Sequence, residues 1–83
     1  SHLGEEFDAI VSGVTAFGVF AELTNTVEGL IRIENLPADD YVFVEQRYLL
    51  KGERRSFKIG DKIKIKVAAC DIGTRRCEFL LAE

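Results

Sequence analysis

The stretch Phe17-Gly18-Val19-Phe20 places two aromatic rings three residues apart, on either side of a glycine, within a β-like pattern. Positions i and i+3 of a regular strand point to opposite faces of a sheet. A glycine between them permits a bulge or sharp bend that brings both rings onto one face. Two exposed rings on a small sheet would form a stacking platform for unpaired bases, whereas buried rings would be ordinary core residues. Both interpretations are open on this stretch alone.

The pattern that continues from this stretch predicts that Phe20 points away from the core. Aliphatic residues alternate with other residues between positions 18 and 23, which is the period of a half-buried strand. Because Val19, Ala21 and Leu23 suit the core, the ring at the opposite parity faces solvent. Another strand is predicted over residues 5–15, with Gly13 at the bend where a small barrel turns a corner.

A third strand, residues 27–33, contains Arg32, which is the only lysine or arginine among the first 45 residues. The isoleucines on either side of it share the core face, so Arg32 points outward, beside the predicted aromatic face. A guanidinium there can stack on bases and pair with phosphate. The alternative is a surface ion pair with Glu22 or Glu28.

The most regular alternation in the sequence runs from Lys62 to Val67, where lysines alternate with isoleucine and valine. This period of two predicts a strand with its aliphatic residues in the core and its lysines on the outer face. Such a row raises the positive potential and also blunts edge pairing. Lys64, in the middle of the row, is therefore a candidate nucleic-acid contact, and a solvated lysine face is the alternative.

The last predicted strand, residues 76–81, follows a turn that holds three further charged candidates. Arg75 and Arg76 lie where long cationic side chains can reach a backbone phosphate. Asp71 begins the turn, and its carboxylate can orient one of the two arginines through a charge-assisted hydrogen bond.

Charge is distributed unevenly along the chain. Residues 1–45 contain one basic and nine acidic residues, a net of −8, whereas residues 46–83 contain ten basic and five acidic residues, a net of +5. The sum is −3. This asymmetry can place a basic patch on an acidic domain, although a folded barrel can also mix the two halves. The apolar content of 47% indicates one globular domain. No apolar run approaches the roughly 20 residues of a membrane span.

The two cysteines are predicted to be free thiols. Strict alternation places Cys70 on the outer face, whereas Cys77 has the inward parity of the last strand, and thiols on opposite faces cannot bond. Reduced thiols are typical of cytosolic proteins, so a cytoplasmic location is expected. One histidine and two cysteines do not supply a zinc site. The adjacent carboxylates Asp39 and Asp40 are more typical of a turn than of a metal or catalytic pair.

Residues 39–59 form a connector that is too apolar for a bare loop of this length, which predicts an extra hairpin or pair of short strands. The five predicted strands surround it in sequence, and no long helix is indicated. This pattern predicts an all-β fold, a five-stranded antiparallel Greek-key barrel of the OB type with an extended connector between its third and fourth strands. A fold does not determine a function by itself.

Several motifs in combination resemble the S1 RNA-binding domain family, over nearly the whole chain. They are Gly13-Val14-Thr15, Phe17-Gly18-Val19-Phe20, Val27-Glu28-Gly29-Leu30-Ile31, Gly60-Asp61 with its alternating strand, and Asp71 with the arginine turn. The resemblance implies an RNA-binding face formed by Phe17, Phe20, Arg32, Asp71, and Arg75 or Arg76. Many members of the family have histidine where this chain has Arg32.

The connector and the opening residues 4–7 further resemble the S1 domains of bacterial ribonuclease R, a 3′→5′ exoribonuclease family. This resemblance implies that residues 1–83 are one S1 domain from a longer chain, whose catalytic domain binds magnesium and lies upstream. The module is expected to bind single-stranded RNA with little sequence preference, to cleave nothing, and to need no cofactor. It is expected to be a monomer that works beside the other domains of the parent nuclease, away from membranes.

Two alternatives to this function are open. The chain can be the S1 module of another RNA-processing or translation protein. It can also act mainly as a protein-docking module through the apolar side chains of the connector, which are Tyr41, Phe43, Tyr48 and Leu49.

Overall fold

The computed structural model describes residues 4–82, which form eight β-strands and two single turns of 3₁₀ helix. The strands are β1 Glu6–Thr15, β2 Gly18–Leu23, β3 Glu28–Arg32, β4 Val42–Val44, β5 Leu49–Lys51, β6 Ser56–Lys58, β7 Lys62–Asp71 and β8 Arg76–Leu81. The helical turns are Ile33–Asn35 and Glu45–Arg47, so no helix in the described residues is long enough to cross a bilayer.

Five of the strands close into a barrel in the order β1-β2-β3-β8-β7, and β7 pairs back to β1. The neighbouring strands are antiparallel except β3 and β8, which run parallel. This arrangement confirms the predicted OB-type barrel. The parallel pair has a consequence for the candidate site, because it places β8 beside β3 in the sheet, so that their outer faces adjoin.

The long strand β1 bends at the predicted position. Residues 6–10 pair with β7 and residues 9–15 pair with β2, and the register with β2 shifts between Val11 and Gly13. A bulge of this kind increases the local twist of a strand. The corner at Gly13 is therefore confirmed, and it lets a single strand contribute to both sides of the barrel.

The barrel interior is filled by the aliphatic residues that the period-two pattern assigned to it. Ile65 of β7 is fully buried, and the lysines on either side of it point outward. The ring of Phe79 lies against Gly29, where an added Cβ would come within 2.6 Å of a ring carbon. Leu36 is buried directly after the first 3₁₀ turn and belongs to the core.

The connector forms a three-stranded sheet in the order β4-β5-β6, so the expected pair of short strands is present with one strand more. Leu50 and Phe57 are buried from this sheet, and Tyr41 and Phe43 pack partly buried against the same core. The Tyr41 hydroxyl donates a hydrogen bond of 2.5 Å to the Pro37 carbonyl. Burial raises the pKa of this phenol. The apolar residues of the connector therefore fasten it to its own barrel.

Asp39 fastens the two ends of the connector to each other. Its carboxylate accepts backbone N–H bonds from Glu53 at 2.9 Å, Arg54 at 2.8 Å and Arg55 at 3.0 Å, and a fourth from Asp40 at 2.7 Å. These bonds, that from Arg54 first, hold the pKa of Asp39 far below its usual range. The interpretation of this carboxylate as a turn residue rather than a ligand agrees with its four backbone donors.

Cys70 and Cys77 form a disulfide, so the prediction of two free thiols was wrong. The register between β7 and β8 shifts between Val67 and Ala69, which reverses the parity of the residues that follow on β7. Cys70 then lies directly opposite Cys77, with their Cα atoms 4.0 Å apart. The strict alternation assumed from the sequence ends at Val67, and the sequence holds no glycine there to indicate it.

Candidate nucleic-acid interface

A groove with a volume of about 580 Å³ lies over the outer faces of β2, β3 and β8. Five of the seven residues predicted to contact nucleic acid line it, namely Phe17, Phe20, Arg32, Arg75 and Arg76. The remaining lining residues are Glu28, Gly29, Leu30, Cys77 and Glu78. The fold thus collects residues that are up to 59 positions apart in sequence (from Phe17 to Arg76) into one open surface.

The two phenylalanine rings reach the groove from different kinds of backbone. Phe17 lies in the turn before β2, where its N–H bonds to the Thr15 hydroxyl at 3.2 Å and its carbonyl accepts the Ile33 N–H at 2.9 Å. Its side chain is 57% exposed. Phe20 lies within β2, opposite Leu30, on the outward parity that the sequence predicted. Phe17 precedes the strand, so the rule that positions i and i+3 face opposite sides does not apply to it, and both rings line the same groove.

Two glycines flank the platform, and close approach requires a glycine only at Gly18. The pairing of β2 with β3 is continuous from Gly18 onward, so Gly18 does not form the bulge that was considered for it. Its role is close approach, since an added Cβ would collide with the carbonyl oxygen of Ile31. Gly13 lies beneath the ring of Phe20, whose Cδ2 would be 3.5 Å from a Cβ at that position.

Arg32 points into the groove and is paired with an acid that the sequence did not indicate. Its Nε donates a hydrogen bond of 2.7 Å to the Glu78 carboxylate, and this bond and the adjacent negative charge raise the pKa of the guanidinium. The side chains are 52% and 40% exposed. The partners considered from the sequence, Glu22 and Glu28, were wrong because the parallel pairing of β3 with β8 was not foreseen. Glu28 instead accepts the Ser12 hydroxyl at 2.6 Å.

The turn between β7 and β8 presents Arg75 and Arg76 at the edge of the groove. Arg75 has a left-handed backbone, with φ +57°, which closes the turn. Asp71 does not line the groove, and its Oδ1 accepts the backbone N–H groups of Gly73 at 2.9 Å and Thr74 at 3.4 Å. The observed bonds of this carboxylate shape the turn that holds the arginines, where the sequence had suggested a bond to an arginine side chain.

Lys64 lies in a different groove, of about 770 Å³, over β1, β2 and β7. It is directly opposite Asp8 in the β1–β7 pairing, and its ammonium is 3.6 Å from the Asp8 carboxylate. The outward orientation predicted for Lys64 is confirmed, but the structure does not place it with the phenylalanines. Parity along a strand does not indicate which part of the barrel surface the outer face of β7 joins.

The groove as a whole combines aromatic surface with a small excess of positive charge. Three arginines face two glutamates along its lining, a net of +1 in a chain of net charge −3. Within residues 4–82, no group of three or more histidine, cysteine, aspartate or glutamate residues could hold a metal ion. Such a surface can stack planar groups and pair with anions, and single-stranded nucleic acid offers both in alternation.

The family described as S1 RNA binding domain matches residues 2–80. Ribonuclease R of Ureaplasma parvum is 43% identical over 82 residues, and Ribonuclease R of Aquifex aeolicus is 46% identical over 84 residues. These matches cover 96% and 98% of this chain, but only 11% and 12% of the relatives. The chain therefore spans about a tenth of the length of these relatives.

A solved protein–RNA complex contains a domain of the same fold. Mycoplasma genitalium RNase R, in complex with ribose methylated single-stranded RNA, superimposes on this chain with a TM-score of 0.85 at 31% identity. The match covers 96% of this chain and 13% of that protein.

Proposed function

The chain belongs to the S1 RNA-binding domain family, and from this premise we propose that its groove over β2, β3 and β8 binds single-stranded RNA. The observation that carries the proposal is the convergence of two aromatic rings and three arginines on that surface. Phe17 and Phe20 stack on successive bases, and the arginines pair with the phosphates that link them. The solved relative with single-stranded RNA supports the choice of ligand.

The two phenylalanines supply most of the affinity. One base stacked on an aromatic side chain contributes about 1–3 kcal/mol, as measured by alanine substitution. Every base has a π-face, so stacking of this kind tolerates any sequence. The groove therefore binds RNA with little sequence preference, and the exposed position of Phe17 allows its ring to adjust to the base above it.

The arginines determine how strongly RNA binding depends on salt and how the RNA backbone runs across the groove. Arg75 and Arg76 are exposed at the β7–β8 turn and form no ion pair within residues 4–82, so they meet phosphates directly. Arg32 already has Glu78 as a partner, so it exchanges one anion for another when RNA binds. When the logarithm of the binding constant is plotted against the logarithm of the salt concentration, the line falls with a slope of about 0.7 for each phosphate neutralised.

The place of this module in a larger protein follows from its relatives. We propose that it serves a ribonuclease R-like 3′→5′ exoribonuclease as an accessory module that holds substrate RNA beside a catalytic domain. Cleavage, and any metal that cleavage needs, belong to that other domain. The identities of 43% and 46% to ribonucleases R support this parent over other proteins with S1 modules.

Protein docking through the connector is less well supported as the main function. Of the four apolar connector residues considered for it, Tyr41, Phe43 and Leu49 are partly buried and only Tyr48 is exposed. The connector uses most of its apolar surface to pack on its own barrel.

Fluorescence anisotropy with a labelled single-stranded RNA tests the proposal. Phe17→Ala and Phe20→Ala are each expected to weaken binding by roughly 5-fold to 150-fold, the range of one lost base stack. Ile10→Ala is the matched control, because Ile10 is an exposed apolar residue in the other groove. Circular dichroism establishes that each variant is folded. Unchanged affinity in both folded phenylalanine variants would contradict the proposal.

A further inference from the structure

The outer face of the connector sheet is a second surface, separate from the groove, on which exposed lysines lie among apolar side chains. Directly opposed residues of paired strands share a face, so Val42, Lys51 and Ser56 form one row and Val44, Leu49 and Lys58 form the next. The intervening row, which includes Leu50 and Phe57, points into the barrel. We call the two outward rows the connector face.

The part of the connector that forms the small sheet, residues 42–58, carries a net positive charge. Residues 42–58 contain five basic and two acidic residues, a net of +3, in a chain whose net charge is −3. On the connector face itself, Lys51 and Lys58 are exposed. Neither residue takes part in the fastening of the connector, which the Asp39 carboxylate and the buried apolar row provide. Both ammonium groups are thus placed to meet an anion from outside.

An exposed aromatic residue stands at the end of this face. Tyr48 ends the second 3₁₀ turn and directly precedes Leu49, the first residue of β5, which pairs with Lys58. It is 61% exposed and has a left-handed backbone, with φ +50°. That conformation is unfavourable for a bulky side chain and is concentrated at functional sites. A strained, exposed tyrosine beside two exposed lysines repeats the ring-and-cation composition of the groove.

We propose that the connector face binds the same RNA strand beyond the groove, with Lys51 and Lys58 on phosphates and Tyr48 on a base. This inference rests on the proposed function, because the groove supplies the first contacts. Once the groove holds the strand, the next nucleotides are present at a high effective concentration, so a few weak contacts are sufficient. Sites of about 4–16 nucleotides per OB fold leave room for such an extension on a molecule 36 Å long.

Oligonucleotide length separates the two surfaces experimentally. A single-stranded RNA of about 4 nucleotides fills the groove alone, whereas one of about 16 nucleotides can reach both surfaces. Lys51→Gln and Lys58→Gln are compared with Lys62→Gln, which removes the same charge from an exposed residue of the other groove. Tyr48→Gly removes the ring and suits the left-handed backbone at that position.

The expected effects appear with the long RNA only. Each of the two connector lysine variants lowers the salt slope by about 0.7, which is about a 5-fold loss of affinity near 0.1 M salt. Tyr48→Gly costs about 5-fold or more. Lys62→Gln changes neither quantity by a comparable amount, and the short RNA binds all four variants as it binds the parent chain.

Two results would overturn the inference while leaving the groove proposal intact. One is long-RNA binding that is the same in the connector variants as in Lys62→Gln, which would mean that the connector face does not contact the RNA. The other is a loss of affinity in the connector variants that is equally large for the short and the long RNA. If the groove proposal fails instead, the short RNA loses no affinity in Phe17→Ala and Phe20→Ala, which is a different readout.

Discussion

The Glu78 carboxylate limits the affinity of the groove for RNA, so its removal is expected to strengthen binding. Glu78 holds the Nε of Arg32 at 2.7 Å and is itself part of the groove lining. A phosphate that approaches Arg32 must displace this carboxylate and also meets its negative charge. Glu78→Gln removes the charge and keeps the shape of the side chain.

The size of the expected gain in affinity depends on how exposed the Arg32–Glu78 pair is to solvent. The two side chains are 52% and 40% exposed, so their charges act through nearly bulk solvent. For a carboxylate and a phosphate about 4 Å apart, Coulomb's law in water corresponds to a factor of about 5 in affinity at low salt. An Arg32 freed for phosphate adds about 0.7 to the salt slope. Exposed ion pairs contribute little to stability, so the unfolding midpoint stays nearly unchanged.

Anisotropy titrations of a labelled single-stranded RNA at several salt concentrations measure both quantities. Glu22→Gln is the matched control, because it makes the same change in net charge at an exposed residue of the other groove. We expect tighter binding and a steeper slope in Glu78→Gln alone. Weaker binding in this variant would refute the reasoning, because it would mean that Glu78 orients Arg32 for phosphate rather than competing with it.

Three further predictions concern the scaffold of the site. Gly29→Ala is expected to lower the free energy of unfolding by about 1–3 kcal/mol in urea titrations, because the new methyl group would overlap the ring of Phe79; an unchanged midpoint would contradict this packing. Reduction of Cys70–Cys77, which are seven residues apart, is expected to lower the same free energy by about 2 kcal/mol through loop entropy, whereas equal midpoints with and without reductant, for a sample shown oxidised by mass spectrometry, would refute it. The pKa of Asp39 is lower in the folded state than in the unfolded state, so its carboxylate stabilises the fold above the unfolded pKa of about 3.9, and this stabilisation is lost as the pH falls through the folded pKa. Asp39→Asn is therefore expected to have a lower melting temperature than the parent at pH 7, and the two melting temperatures should converge in acid.

The barrel was predictable because its signals are local and periodic. The alternation around Ile65 predicted one strand, and the alternation after Gly18 predicted another. Gly13 marked the bend in the long first strand. The outward direction of Arg32 and Phe20 followed from the same period. Each of these inferences needs only the next few residues along the chain.

The features that were missed depend on pairing between distant segments. The bulge before Ala69 set Cys70 opposite Cys77, and nothing in the local composition indicated it. The Arg32–Glu78 pair joins residues 46 positions apart through a parallel contact between β3 and β8. Lys64 was correctly turned outward but belongs to another groove, because parity gives the face of a strand and not its neighbours.

The most direct test of the central claim, that Phe17 and Phe20 form a base-stacking platform, is amide chemical-shift mapping with a short single-stranded RNA of about 4 nucleotides. The account predicts that the largest shifts cluster at residues 17–20, at Arg32 and at the β7–β8 turn. Shifts that are confined to the connector, residues 42–58, or that are absent under conditions where a control confirms intact RNA, would contradict it.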